Sequence, residues 1–175
     1  RLYYTDSTVT EFAAVVVAAE PTDGGLAVRL DRTAFYPTSG GQPNDTGSLG
    51  SGRVVDVVDR EDGTVWHMVE TAPVPAVGET VHGQVDWPRR FDHMQQHSGQ
   101  HVLSAAFAQL YAARTVGFHL GERASTIDLD RPLSPEQVVA SESAANAVVW
   151  DDRVVTVRLV SAEEAARLEL RKPSS

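Results

Sequence analysis

The sequence predicts an α+β fold in which a small β-barrel comes first, and two features of its patterning carry that expectation. From Leu2 to about Trp87, short runs rich in Val, Thr and aromatic residues alternate with Gly, Asp and Pro, as half-buried strands do. After Trp87-Pro88 the apolar period lengthens from two to three or four, the helical repeat. A domain boundary is therefore expected near residue 88, with a glycine-rich-loop β-barrel domain over 1–88 and an α+β domain over 89–175.

The clearest strands fall at residues 10–19, 26–30, 53–58, 64–69 and 81–87. Asp59-Arg60-Glu61-Asp62-Gly63 joins the third to the fourth, and its Asp-Gly pair supplies the positive-φ turn that folds two strands back on each other. The Pro-rich stretch 71–78 can donate few backbone hydrogen bonds and reads as a surface connection. In the second half, a helix is expected from Phe91 or Asp92 to about Tyr111, and a hairpin from residues 115–119 and 125–130 turning at Gly121. A second helix over 135–150 has Ser134 as its cap, Pro135 in its first turn and Gln137 completing a capping box. Residues 154–160 read as a strand and 162–168 as a short helix.

Composition narrows the function classes. With 42% apolar residues in 175, the chain can fill a real core. No apolar run approaches a bilayer's thickness and no charged-then-apolar leader opens the sequence, so it reads as soluble and cytoplasmic with no membrane partner. Absence of Cys rules out disulfides and thiolate ligands, so any metal must be held by His, Asp or Glu. A formal charge of −9 argues against nucleic-acid binding by global attraction, so RNA contact must be local. Arg1 in the first position, rather than Met, leaves open that the sequence is part of a longer gene product.

His93, His97 and His101 recur every four residues, so on a helix they share one face, successive rings about 6 Å apart along the axis. Val102, Leu103, Ala106, Phe107 and Leu110 fill the opposite arc as a core face. Two His at i and i+4 are the geometry by which a helix offers two nitrogens to one zinc, which then requires a third protein ligand. Such a pair also suits a merely solvated face. The third His, the flanking Gln95, Gln96 and Gln100, and the small Ser104 and Ala108, which leave space above the rings, favour a site. Ser98 stands where a metalloprotease helix carries its Glu base, which disfavours peptidase activity.

Residues 35–47, Phe-Tyr-Pro-Thr-Ser-Gly-Gly-Gln-Pro-Asn-Asp-Thr-Gly, match neither a P-loop nor a dinucleotide fingerprint, so nucleotide triphosphate chemistry is not indicated. By composition the stretch is a long turn. Adjacent glycines permit close approach of backbone to a ligand, and the hydroxyls, amide and carboxylate around them suit gripping a ribose or an amino group.

That loop, the block Arg90-Phe91-Asp92-His93-Met94-Gln95-Gln96-His97-Ser98-Gly99-Gln100-His101 and the block Ser125-Thr126-Ile127-Asp128-Leu129-Asp130 together resemble the free-standing alanyl-tRNA editing proteins called AlaX. They are similar also to the editing domain of alanyl-tRNA synthetase. The resemblance runs from Leu2 to Arg171-Lys172-Pro173, and Leu2-Tyr3-Tyr4-Thr5-Asp6 looks like the opening of a free-standing member. It implies a β-barrel carrying the loop, followed by an α+β domain like the editing domain of threonyl-tRNA synthetase. It implies an ATP-independent deacylase that hydrolyses tRNA(Ala) mischarged with serine or glycine, using zinc. Carried over by position, His97 and His101 are zinc ligands and, with Gln42, catalytic residues. Thr38, Ser39, Gly40, Gly41, Asp45 and Arg90 line the substrate pocket.

One departure is serious. Family members draw two further ligands from a later Cys-x3-His motif, and the sequence ends at Ser175 without it, so the α+β domain is expected to be incomplete. His93 and His119 are unfavoured substitutes. Either the sequence is a fragment, or it is a truncated product that binds metal poorly. Two rivals follow: a non-catalytic module that holds tRNA or another acyl ester, and a metal-dependent hydrolase of a small ester or amide. Arg89 and Arg90 read equally well as RNA phosphate contacts and as ordinary surface charge.

Overall fold

Six strands close into an antiparallel barrel, as the period-two half of the sequence predicts. They are β1 (Glu11–Thr22), β2 (Gly25–Leu30), β3 (Gly47–Leu49), β4 (Gly52–Asp59), β5 (Val65–Glu70) and β6 (Thr80–Val85), and they run around the barrel in the order β1-β2-β5-β4-β3-β6. This structure, a computed structural model, describes residues 1–70, 75–121 and 123–168. Residues 71–74 of the expected surface connection and the Arg171-Lys172-Pro173 end of the resemblance lie outside the described residues.

Inward-facing positions alternate along each strand, most plainly in β6, where Val81, Gly83 and Val85 are buried and Thr80, His82 and Gln84 are not. Val16, Val28, Val54 and Val57 meet Phe35 at the barrel centre, all of them fully enclosed. Bulges between Val16 and Ala18, and between Val54 and Asp56, bend β1 and β4 enough to close the circle. The Asp62-Gly63 turn joins β4 to β5 as expected, with Gly63 at φ 76°. Sequence patterning missed β3, whose three residues are too few to show a period.

One core residue is a histidine. His67 lies wholly inside the barrel, its Nδ1–H donating to Val28 O at 2.9 Å while its Nε2 accepts the Thr33 hydroxyl at 2.8 Å. Thr33 Oγ1 in turn accepts the Phe35 N–H at 3.0 Å, so the ring is fixed as a neutral tautomer.

β6 gives way at once to α1 (Trp87–Tyr111), so Trp87, expected to end a strand, opens the helix instead. Pro88 suits a first turn rather than breaking one, which is why the helix starts ahead of the expected Phe91. Ala112 ends it in the left-handed conformation, its N–H reaching Ala108 O and Phe107 O. Phe107 and Ala106 are buried as expected, while Leu110, assigned to the core face, is half exposed. The hairpin of β7 (Thr115–His119) and β8 (Thr126–Leu129) follows, then α2 (Pro135–Trp150) packed against α1, then α3 (Ala162–Ala165). α2 carries the expected capping box, Ser134 Oγ accepting from Gln137 N and Gln137 Oε1 from Ser134 N.

The strand expected at 154–160 is not formed. Val154, Val155, Val157 and Leu159 lie more than four-fifths exposed in unpaired backbone. Alternating valines supply β propensity, but a strand needs a ladder neighbour, and none among the described residues pairs with this one. Among the described residues no helix is long and apolar enough to cross a membrane.

Burial holds the His67 pKa down from 6.5 to about 4. The unfolded chain therefore binds a proton that the folded one refuses: this stability is intact above pH 6.5 and is lost as pH falls toward 4, roughly 3 kcal/mol in all. Urea midpoints measured from pH 7 to 4.5 are expected to fall accordingly, and the fall is expected to flatten in His67→Leu, which starts less stable at pH 7.

Candidate functional site

The glycine-rich loop leaves the barrel core at Phe35 and returns at β3. Its tip is a two-residue turn in which Ser39 and Gln42 exchange both backbone hydrogen bonds at 3.0 Å, across Gly40 and Gly41 at φ 58° and 82°. Gly41 also presses against β7. Its carbonyl accepts the Leu120 N–H at 2.8 Å, and a Cβ at this position would lie 2.1 Å from Phe118 O. Only glycine permits that approach, so the loop spans from barrel to hairpin.

Behind the tip the loop is bolted to α1. The Arg90 guanidinium donates through Nε to both carboxylate oxygens of Asp45, at 3.1 and 3.0 Å, and through Nη1 to Ser7 O at 2.7 Å. Nη2 bonds Ala34 O and Asp45 as well. Asp45 accepts a further bond from Tyr36 N at 2.6 Å and is 0% exposed, against 2% for Arg90. Thr46 Oγ1 adds a bond to Asp86, the residue immediately before α1, at 2.9 Å.

Two helical turns beyond Arg90, His97 meets the loop tip. Its Nδ1 lies 2.8 Å from Gln42 Oε1. An amide oxygen only accepts, so Nδ1 carries the proton and the lone pair resides on Nε2. The His101 ring stacks on that of His97, centroids 5.0 Å apart and 18° from parallel, and Phe118 closes the other side at 6.0 Å. Burial holds the His97 pKa below its ordinary value, so the ring is neutral at pH 7.

The three helix histidines share a face but not an environment. His101 is exposed, His97 half-buried and His93 buried, with its pKa lowered first by burial and then by Arg89. Of the flanking glutamines, Gln95 and Gln96 are exposed, whereas Gln100 is buried and donates to Ser104 Oγ at 2.7 Å, not to an imidazole. Ser104, expected to leave space above the rings, is wholly buried and accepts the Thr115 hydroxyl at 2.6 Å. The face that carries the imidazoles is therefore closed at Ser104 by its contact with Thr115.

A cleft of about 290 Å³ opens beside His97, lined by Tyr3, Tyr36, Gln42, Met94, His97 and Ser98 among others. Thr38 and Ser39 are exposed on the loop and do not line it; the Thr38 hydroxyl accepts Asn44 N at 3.1 Å, holding the loop's shape. Sequence reasoning missed the tyrosines and Met94, although Tyr3 and Tyr36 both stood within blocks singled out for other reasons. Among the described residues, no group of three or more His, Asp or Glu side chains is placed to hold a metal.

A loop-bearing barrel whose loop meets paired helix imidazoles is the arrangement that the resemblance implies. A family model described as class II (A) tRNA synthetases matches residues 5–89. The chain is 36% identical over 177 residues to the alanyl-tRNA editing protein AlaX-M of Methanosarcina acetivorans, covering 94% of this chain and 70% of that protein. It is 38% identical over 172 residues to the alanyl-tRNA editing protein Aarsd1-B of Xenopus laevis, and 32% identical over 178 residues to AlaX-L of Pyrococcus horikoshii. These two matches cover 91% and 98% of this chain. The chain belongs to the alanyl-tRNA editing protein family. It spans 41% of the length of Aarsd1-B and 44% of that of AlaX-L.

Removing Arg90 would leave the Asp45 carboxylate charged and unpaired in the interior, which costs about 3–5 kcal/mol. Arg90→Met is expected to lower the urea-unfolding free energy by that much, and adding Asp45→Leu to recover part of it.

Proposed function

We propose that the chain takes part in editing of mischarged tRNA(Ala), hydrolysing the ester that joins serine or glycine to the terminal ribose. The observation that carries this is the meeting of Gln42 and His97. A loop able to hold an acylated RNA end touches an imidazole kept neutral and locked with its Nε2 as the basic nitrogen. In this reading His97 takes a proton from the water that attacks the ester carbonyl, and the ribose hydroxyl leaves. Gln42 holds the ring in register, and His101 stacks behind it. A cleft of about 290 Å³ has the dimensions of a small-ligand site, suited to an aminoacyl-ribose and not to an RNA stem. With a net charge of −9, the chain must hold RNA locally and not by global attraction.

Asp45 and Arg90, grouped by resemblance with the substrate-contacting residues, are assigned here to positioning. Each is buried against the other, and Arg90, although it borders the cleft, has its guanidinium engaged by Asp45, Ala34 O and Ser7 O. Gly40 and Gly41 act through the turn they permit. Thr38 and Ser39 stay assigned to the loop's substrate side, with Thr38 available to bond a seryl hydroxyl once Asn44 yields it.

Zinc belongs to the family reading with His97 and His101 as two of its ligands. Two imidazoles fall short of the three protein ligands that a catalytic zinc takes. The described residues therefore do not fit the ion by themselves, and no step above runs through it. A second reading is a module that binds acylated tRNA without turning it over.

Assays with Ser-tRNA(Ala), Gly-tRNA(Ala) and a small seryl ester, each with and without added zinc, separate hydrolase from binder. His97→Ala is expected to lower deacylation of Ser-tRNA(Ala) by about 10²-fold or more with circular dichroism unchanged; wild-type rates would refute the assignment. Because protonation removes the base, the rate is expected to fall on the acid side only, with the limb below pH 6.5. Thr38→Val is expected to slow hydrolysis of Ser-tRNA(Ala) more than that of Gly-tRNA(Ala), because loosening the loop affects both substrates and loss of the hydroxyl affects only the seryl one.

A further inference from the structure

Part of the cleft lining is a cluster of phenol rings. Tyr3 meets Tyr4 edge to face at 5.0 Å and Tyr36 edge to face at 5.2 Å, and all three border the same space as Gln42 and His97. Tyr36 comes from the glycine-rich loop, but Tyr3 and Tyr4 come from a single 3-10 turn (Leu2–Tyr4), and that turn is held from both sides. Leu2 N donates to Thr33 O at 2.8 Å, while Arg1 grips Asp59 at the end of β4 through two bonds of 2.6 and 2.7 Å. Arg1 also reaches the Tyr4 hydroxyl at 3.0 Å, and on the other side of the turn Arg90 holds Ser7 O.

Tyr4 is nonetheless 57% exposed. An aromatic side chain anchored this firmly by its backbone, yet left open to solvent at the mouth of a cleft, is arranged to receive a flat partner. The barrel gains little from it, since the ring contributes nothing to the closed core. Flat groups with a π-face and no net charge suit such a wall, and nucleobases are the ones that accompany a ribose ester.

We propose that Tyr3, Tyr4 and Tyr36 form the subsite for the terminal nucleobase of the acylated RNA, stacking it so that the adjoining ribose ester lies toward Gln42 and His97. This rests on the reading of the chain as acting on mischarged tRNA. The wall sets how the substrate is held rather than how it reacts, so its loss weakens binding and spares the chemistry. Stacking is tolerant of base identity, so purine and pyrimidine ends are distinguished only by the area they cover.

The test is equilibrium binding of two RNA hairpins that mimic the acceptor stem, one ending in adenosine and one in an abasic ribose, each carrying serine through a non-hydrolysable amide. Wild-type protein is expected to bind the adenosine hairpin about tenfold more tightly, and Tyr4→Ala and Tyr36→Leu each to remove most of that preference. Neither substitution is expected to alter affinity for the abasic hairpin, which serves as the folding control. Equal binding of both hairpins by the wild type overturns the subsite and leaves the editing reading standing. Failure to bind either overturns both. Where the chain hydrolyses a serylated hairpin, Tyr4→Ala is expected to raise KM with kcat unchanged, and a fall in kcat alone would count against the assignment.

Discussion

Everything near the cleft hangs on the ion pair between Arg90 and Asp45. It fastens together the interior of the loop, the first turn of α1 and the first residues of the chain, because a single guanidinium reaches Asp45, Ala34 O and Ser7 O at once. Burying two charges is unfavourable unless every donor and acceptor is matched, and here the fork of Arg supplies the match that Lys would not. Such an arrangement is worth more as a register mark than as a source of stability. With Arg90 fixed, the helix has only one rotation available, and His97 falls two turns along on the side where the loop tip waits.

Gln42 then settles a question that imidazole alone leaves open. A neutral histidine can present either nitrogen, and a site built on it behaves differently according to which one carries the proton. The glycine pair bends the loop, Phe118 and Leu120 hold the bend, and the amide oxygen selects the tautomer. Conformational freedom at Gly41 is thus converted, through two hydrogen bonds, into the electronic state of a ring on another element.

Much of this was legible in the residues. The barrel could be read from period-two runs, and the capping box of α2 from Ser134 and Gln137 with no tertiary knowledge. That His97 and His101 would share a helix face followed from their spacing alone. What spacing cannot give is depth: His93, His97 and His101 are equivalent on a helical wheel, yet range from buried to exposed, because burial depends on what lies over the helix and not on the helix itself. Ser104 was misread for the same reason. Asp45 and Arg90 were singled out as unusual, but the sequence could not show that each is the other's partner, since a charged residue in a motif looks the same whether it faces a ligand or another charge. The run at 154–160 shows the complementary limit, where local propensity was sound and the neighbouring strand it requires was not among the described residues.

That last segment has a practical side. A ribbon of bare valines in extended backbone can template pairing with its own kind, the first step toward ordered aggregates. Arg153 and Arg158 punctuate it as cations, the placement by which sequences discourage such stacking, though Arg153 is already drawn toward Asp151 at 2.7 Å and Arg158 toward Glu164 at 2.9 Å. Ionic strength, by screening the two arginines, therefore weakens the charge repulsion that keeps such exposed valines apart.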